Sequence, residues 1–340
     1  MNGSLDVNNL DADAFRKLYP EQYFQRFLDD GIRPDGRTIG RSRATTIGVG
    51  TISSVEGSAL VKQGDTTILA GVRTSLSRPL DSHPDCGALT INVELAPFSS
   101  ADWRPGRAPE LVSTVSERLH QILLGSSSRE GISDPCSTSG SSGAFSLQQL
   151  CIAPGKACWS LLLDVYILNA DGSVFDTVLL AAVAALSGTQ LPAITTNSEG
   201  DVRRQHQPVS KQEGSREIKD SLLTATGPDQ ALVQQPSRPV VLERVPVSLT
   251  CGLYRSHVLV DPTSEEEAVS SSSVTVVLDQ HGQLHGIFKP GGIKAASNVE
   301  LLQCIESAKL RHKEASQLLQ QSLQDWRDNA GNEDAAKMNY

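Results

Sequence analysis

Residues 158–186 run CWSLLLDVYILNADGSVFDTVLLAAVAAL, and they hold a whole strand, a turn and a helix in one unbroken stretch. Cys158 to Leu168 is strongly apolar and rich in Leu, Val and Ile, which predicts a buried strand. The turn Asn169-Ala-Asp-Gly172 follows, and Phe175 to Leu186 then reads as an Ala- and Leu-rich helix. That helix is apolar nearly all round, so it is expected to lie between two layers rather than on a surface. Asp164 falls inside the strand, Asp171 in the turn and Asp176 in the first helical turn, where a carboxylate faces the positive helix end.

Upstream, Thr45–Ile52, Ser58–Lys62 and Thr66–Val72 are β-prone and are separated by the hairpin signals VEG and QGD. Leu89–Leu95 alternates as another strand, and Glu110–Leu124 carries Leu111, Val115, Leu119, Ile122 and Leu123 on one helical side. Downstream, Val245–Thr250, Val258–Val260, Val274–Leu278 and Leu284–Phe288 read as strands. Ser297 with Glu300 forms a capping box that starts a long helix running to about Asp325. Strands followed by a packed helix occur twice, which predicts a duplicated α/β core. Residues 1–30 form a helical arm whose Tyr23, Phe24, Phe27 and Leu28 make one apolar stripe, so these residues need a surface to cover.

The expected organisation is an arm over 1–30, a first part over 31–197, a second part over 240–327 and a flexible tail over 328–340. A Ser- and Gly-rich insertion occupies 125–146. A second insertion, 198–239, loses all periodicity and balances six acids with six bases, which predicts disorder.

Across 340 residues, 30 Lys and Arg face 39 Asp and Glu, for a net charge of -9. This excludes a protein that grips nucleic acid with its whole surface, so any such contact must be local. Six cysteines, at 86, 136, 151, 158, 251 and 304, lack zinc-like spacing and are expected as thiols. The start carries acids without an apolar block, and the run Val178–Leu186 is too short for a membrane span; an intracellular, soluble protein with no membrane partner is expected. Neither GxGxxG nor GxxxxGK[ST] occurs, and His281 and His285 flank a turn rather than share a helix, so no metal pair is expected. Asp261, Glu265, Glu266 and Glu267 crowd what reads as a solvated acidic loop. Arg33, Arg37, Arg41 and Arg43 surround a turn and suit an acidic neighbour, a phosphate or a subunit contact. Arg104 and Arg107 flank Trp103 in a Pro/Gly loop, and Lys156 sits in another loop; all three are candidates for RNA contact.

Several of these segments together resemble a known family. IRPDGR (32–37), GSALVKQGDTTILAGV (57–72), INVELAP (91–97), LCIAPGKACWSLLLDVYILNADGSVFD (150–176), QLPAI (190–194), VDPTSEEE (260–267) and GIFKPGG (286–292) are similar to the RNase PH-like ring subunits of the RNA exosome. Within them, the IAPGK, DVYILNADG and DPTSEEE patterns resemble the branch of ribosomal RNA processing proteins 42, 43 and 45. The aromatic arm YFQRFLDDGIRPDGR (23–37) is most similar to the protein 43 type.

The resemblance implies an α/β (α+β) fold with a duplicated β-α-β core, mixed sheets and packed helices. It also implies a six-membered ring in which two kinds of subunit alternate around an RNA channel. Active members degrade RNA from the 3' end with phosphate as nucleophile, and they use two carboxylates and two phosphate-binding arginines. Here Glu267 matches the first carboxylate, but Ser273 takes the place of the second. Phe175 ends the Ser-Val-Phe that replaces Gly-Thr-Arg, and Ser126 stands where the other arginine follows a glycine. The implied role is therefore a noncatalytic subunit without metal or cofactor, which completes the ring, lines the channel and helps carry RNA to a nuclease elsewhere. Arg104 and Arg107 match the loop that points into the entry pore. Tyr23, Phe24, Phe27, Arg33 and Arg37 are the expected subunit contacts. The implied partners are other RNase PH-like subunits, cap subunits, an associated nuclease and RNA, in nucleus, nucleolus and cytoplasm. Two alternatives remain at this stage: a phosphate-dependent 3'-5' exoribonuclease releasing nucleoside diphosphates, and a ring adaptor that never touches RNA.

Overall fold

The structure is a computed structural model, and it describes residues 12–99, 110–125, 143–196, 202–204, 233–255 and 257–338. The first sheet is built from β1 (Thr45–Val49), β2 (Gly57–Gln63), β3 (Thr66–Ser77), β4 (Ala88–Leu95), β5 (Cys151–Ala153) and β6 (Ala157–Asn169). Its order is β1-β2-β3-β6-β4, with β5 paired to β6, and β4 runs parallel to β6 while the other pairs are antiparallel. The sheet is thus mixed, as expected. Along β6, Trp159, Leu161, Leu163, Val165 and Ile167 all enter the core, because successive side chains of a strand alternate faces.

Helices α3 (Glu110–Leu124) and α4 (Val174–Ser187) cover that inner face. All thirteen residues from Val174 to Leu186 are buried. The reason for α4's apolar circumference lies on its far side, where a second sheet packs. Short pairings connect the halves: β7 (Gln190–Leu191) with β11 (Arg238–Pro239), and β8 (Ile194–Thr196) with both β9 (Val202–Arg204) and β10 (Val233–Gln235). The second sheet has the order β13-β12-β14-β15, formed by β12 (Val247–Tyr254), β13 (His257–Val260), β14 (Ser272–Leu278) and β15 (Leu284–Phe288). Its small polar residues Ser248, Thr250 and Thr275 face α4. Leu249, Cys251, Leu253, Val274 and Val276 face the other way, against Cys304 and Ala308 of α6 (Asn298–Met338). Strands with a covering helix therefore occur twice around a shared middle layer.

The strands that were expected and α3 lie close to their limits, β3 running on to Ser77, whereas β9, β10 and β11 fall inside 198–239, expected to be disordered, because they pair with β8 and β7; residues 205–232 of that insertion lie outside the described residues. Ser297 caps α6 as anticipated, its N–H donating to Glu300 Oε2 at 2.8 Å. Two further differences have physical causes. α6 continues past Asp325, where its apolar stripe ends, so residues 328–338, expected as a flexible tail, are helical; Glu333, Ala335, Ala336 and Lys337 favour helix and no proline interrupts them. The acidic stretch after Pro262 is a helix, α5 (Ser264–Val269), because Thr263 and Glu266 complete a reciprocal capping box. Among the cysteines, 151, 158, 251 and 304 are free thiols as expected, whereas Cys86 is disulfide-bonded. No helix among the described residues is long and apolar enough to cross a membrane.

α6 also reaches back to the first sheet, where Ala315 and Leu319 join its core and Trp326 covers Gly50. A β-carbon at Gly50 would stand 2.1 Å from the indole nitrogen of Trp326, and Gly50 has φ +73°. Glycine thus lets the indole approach the turn this closely. Trp326→Ala is expected to lower stability by about 1–2 kcal/mol, since the ring is only half-buried. Urea unfolding of the two proteins checks this, and equal midpoints would contradict the contact.

The arm forms α1 (Ala12–Leu18) and α2 (Pro20–Asp29), with Pro20 at the first helical position. Its apolar stripe finds its surface within its own chain. Leu28 packs on Tyr254 and Leu259, and the Tyr254 hydroxyl donates to Glu21 O at 3.3 Å. Phe24, expected at a subunit contact, is instead buried beside α5. Tyr23 and Phe27 stay half-buried, with ring centroids 5.0 Å apart.

Candidate functional site

Two turns meet where the halves join, and their close approach shapes the site. At the end of β6, Gly172 has φ +71° and Ser173 has φ +47°, so the chain reverses through two left-handed residues into α4. A β-carbon on Gly172 would lie 2.4 Å from Pro262 O, which explains why only glycine fits. Ser173 Oγ donates to Pro262 O at 3.1 Å, and Ser264 Oγ donates to Asp171 Oδ1 at 2.8 Å. Asp171 is therefore a structural turn residue.

Beneath these turns lies a buried arginine–carboxylate network. Asp261 is fully buried with φ +51°, and it accepts from Arg43 N at 2.8 Å, Nη2 at 2.8 Å and Nε at 3.1 Å. Arg43 Nη2 also donates to Gly172 O at 3.0 Å, and its Nη1 donates to Asp171 O, so one guanidinium ties the segment leading into β1 to both turns. Burial raises the Asp261 pKa, but the Arg43 bonds outweigh it and hold the carboxyl below its usual range. Arg33, expected at a subunit contact, is 1% exposed and donates to Val260 O at 2.5 Å and Ile39 O at 2.8 Å. Arg37, expected there too, turns to Asp35 at 2.5 Å and to Asp261 O at 3.3 Å. Both arginines serve the acidic neighbour, because Asp261 and Glu266 are buried rather than solvated.

Above the network opens a cleft of about 500 Å³, lined by α3, the start of α4, Glu267 of α5, Ser270–Ser273, and the Pro290–Gly292 turn. Glu267 reaches the N-terminus of α4, where its Oε1 accepts from Ser173 N at 2.8 Å. Glu267 is exposed as a residue, although its bond to Ser173 N is partly buried. Burial there raises its pKa; the Ser173 bond and Arg43 oppose, and the charges of Asp261 and Asp171 add to the rise. Ser273 lines the same cleft from β14 and offers a neutral hydroxyl. Phe175 turns its ring to Phe288, 6.2 Å away, and Arg118 lies 5.5 Å and 5.2 Å from the two ring centres. Arg118 thus sits over an edge-to-face pair of rings, a cation–π contact with both. Under the floor, Asp176 is buried and accepts from Thr250 N at 2.6 Å and Thr250 Oγ1 at 3.1 Å. Burial pushes its pKa up to about 6, against the opposing pull of Ser248 and Thr250.

A divalent cation wants several oxygen ligands with charge. Here Glu267 is engaged by a backbone N–H, Asp261 by Arg43, and Ser273 is uncharged. That donor set does not fit a bound cation. Among the described residues, no group of three or more His, Cys, Asp or Glu side chains could hold one.

The structure brings together three of the residues named in advance: Phe175, Glu267 and Ser273. Lys156 is exposed on the β5–β6 hairpin, away from the cleft lining. Arg104, Arg107 and Ser126 lie outside the described residues. Sequence reading missed Arg118, although a signal existed: it interrupts the apolar stripe Leu111, Val115, Ile122 with a charge. Phe288 and Thr250 carried no such mark.

Residues 41–192 match the family model described as the 3' exoribonuclease family, domain 1, and residues 244–310 match domain 2 of the same family. The chain belongs to the RNase PH family. The two RNase PH domains correspond to the two sheets, and the cleft lies between them. A Schizosaccharomyces pombe protein, exosome complex component rrp43, is 31% identical over 87% of this chain and 93% of its own length. The Pyrococcus abyssi exosome complex component Rrp42 is 29% identical over 87% of this chain and 92% of its own. A chain of the Archaeoglobus fulgidus exosome, solved with RNA bound to the active site, superposes with a TM-score of 0.62 at 25% identity, covering 86% of this chain and 96% of that one. Rice Rrp46, at 16% identity and a TM-score of 0.54, shares the RNase PH fold.

Proposed function

We propose that this chain is a noncatalytic subunit of an exosome ring, of the ribosomal RNA processing protein 43 (exosome component 8) type. Its work is to complete a heterohexameric ring with other RNase PH-like chains, to line the RNA channel, and to help carry RNA toward an associated nuclease. The observation that carries the noncatalytic reading is Phe175, packed edge to face on Phe288 beneath Arg118, in the cleft that Glu267 also lines. By the family resemblance a phosphate-binding arginine would occupy the Phe175 position, and a ring there supplies no donor for a transferring phosphate. Ser273 likewise removes a carboxylate. Similarity to Rrp42 and Rrp43 components over most of both chains supports the ring. Arg104, Arg107 and Lys156 are the proposed RNA contacts; cap subunits, the nuclease and residence in nucleus, nucleolus and cytoplasm belong to the same proposal.

Native mass spectrometry of the gently purified endogenous protein tests it, with one copy among several different RNase PH-like chains expected. A ring of this chain alone would overturn it. The purified chain is expected to release no nucleoside diphosphate from RNA supplied with inorganic phosphate, and Glu267→Gln to change nothing. Phosphate-dependent release that Glu267→Gln abolishes would establish the exoribonuclease instead.

A further inference from the structure

Cys151 and Cys158 face each other across the β5–β6 hairpin as register partners. Directly opposed residues of antiparallel strands have Cα atoms about 4.5–5.5 Å apart. A disulfide spans about 4.4–6.8 Å between Cα atoms, the range in which such register partners fall, and a bulge separates this pair from the Ala153–Ala157 pair nearer the turn. Alternation along β6 sends Trp159 and Leu161 into the core and leaves Cys158 on the opposite face. On that face Ser77 is its partner across β3, with Ser77 Oγ 3.3 Å from Cys158 Sγ. Cys158 therefore lies in a row between Ser77 and Cys151.

The hairpin holds the two thiols in place. Lys156 N donates to Ala153 O at 3.0 Å, and Gly155, at φ +70°, donates to Pro84 O at 3.0 Å. Cys151 is half-buried and reachable, while Cys158 is 2% exposed behind it. Facing the Cys151 thiol are Asp85 from the loop before β4, Cys158 from β6 and Arg238 from β11; burial first, then Asp85 and Cys158, keep it protonated, against Arg238. Cys251 and Cys304 offer an internal contrast. They also adjoin one another, but both are fully buried between β12 and α6.

We propose that Cys151 and Cys158 form an oxidative modification site, a cross-strand dithiol that a peroxide closes to a disulfide. The Cys151 thiol first gives its proton to water; the thiolate then attacks a peroxide oxygen and breaks the O–O bond, giving a sulfenic acid and a hydroxide that takes that proton up as one water. Cys158 Sγ then attacks the sulfenic sulfur, and the expelled hydroxide takes the Cys158 proton as a second water. Two thiols lose two electrons in total, and hydrogen peroxide gains them. The closed bridge pins the hairpin and fixes the turn that presents Lys156.

Trypsin cuts after Lys156, between the two cysteines, so a bridge joins peptides that otherwise separate. The full chain is treated with hydrogen peroxide, alkylated, digested without reductant and analysed by fragmentation mass spectrometry, which also distinguishes Cys136 on the upstream peptide. The expected result is a Cys151–Cys158 linked species roughly tenfold above untreated protein, reversed by dithiothreitol. It should be lost in both Cys151→Ser and Cys158→Ser, while Cys251 and Cys304 remain alkylatable after unfolding. Circular dichroism confirms that each variant folds. Recovery of both residues as thiols, of Cys151 as a sulfinic acid, or of Cys151 linked to Cys86 or Cys136 would overturn the proposal.

Discussion

Arg43→Ala is expected to lower the unfolding free energy by about 3–5 kcal/mol, the loss typical when one partner of a buried ion pair is removed. The variant strands Asp261 at full burial without its cation, and it unties Asp171 O and Gly172 O from the same guanidinium. Arg43→Lys keeps the charge but cannot form the fork, so it is expected to recover only part of the loss. The double variant Arg43→Met with Asp261→Leu removes both charges together and is expected to be less damaging than Arg43→Ala alone. Equilibrium urea unfolding measures all of these. A loss below about 1 kcal/mol for Arg43→Ala would mean that the pair is not structurally dominant.

The buried Asp176 makes stability fall as the solution becomes less acidic. Its folded pKa, about 6, lies above the ordinary aspartate value of 3.8, so the folded state holds the proton more tightly than the unfolded chain does. The contribution is fully present below about pH 4 and is lost as the pH rises through 6, amounting to roughly 3 kcal/mol by linkage. Asp261 has the opposite sign: its pKa is depressed, so its contribution is present above the unfolded value and disappears on acidification. Asp176→Asn keeps a neutral acceptor for Thr250 and is expected to abolish the change between pH 4 and 6 while leaving the acid limb. Unfolding free energies measured at several pH values in the two proteins decide the matter. An unaltered slope in the variant would show that Asp176 does not carry it.

Legibility in the sequence followed the range of the interaction. β6 and α4 were readable because strand alternation and helix composition are local, and the apolar circumference of α4 announced its burial between layers. α5 was readable in principle: Thr263 and Glu266 are a capping-box spacing, but three successive glutamates suggested solvent. The carboxylates' actual state was set by Arg33 and Arg43, 218–233 residues away, and no local pattern carries that information. For the same reason Arg33 and Arg37 presented themselves as surface contacts although their partners lay within the chain. In the cleft, the replacements at Phe175 and Ser273 were visible only against a family pattern, whereas the Arg118 contact needed Phe288 from the other half.

The wholly apolar α4 has a consequence for synthesis. On the ribosome, its first flank can dock on the completed first sheet, but the strands that cover its second flank end at Leu278, about 90 residues after Ser187. At roughly 5–20 residues per second, a greasy helical side stays open to solvent for on the order of 5–20 s in every nascent chain. Holdase chaperones and slow translation downstream of residue 187 therefore bear on how much of this protein survives its own birth, before any partner is met.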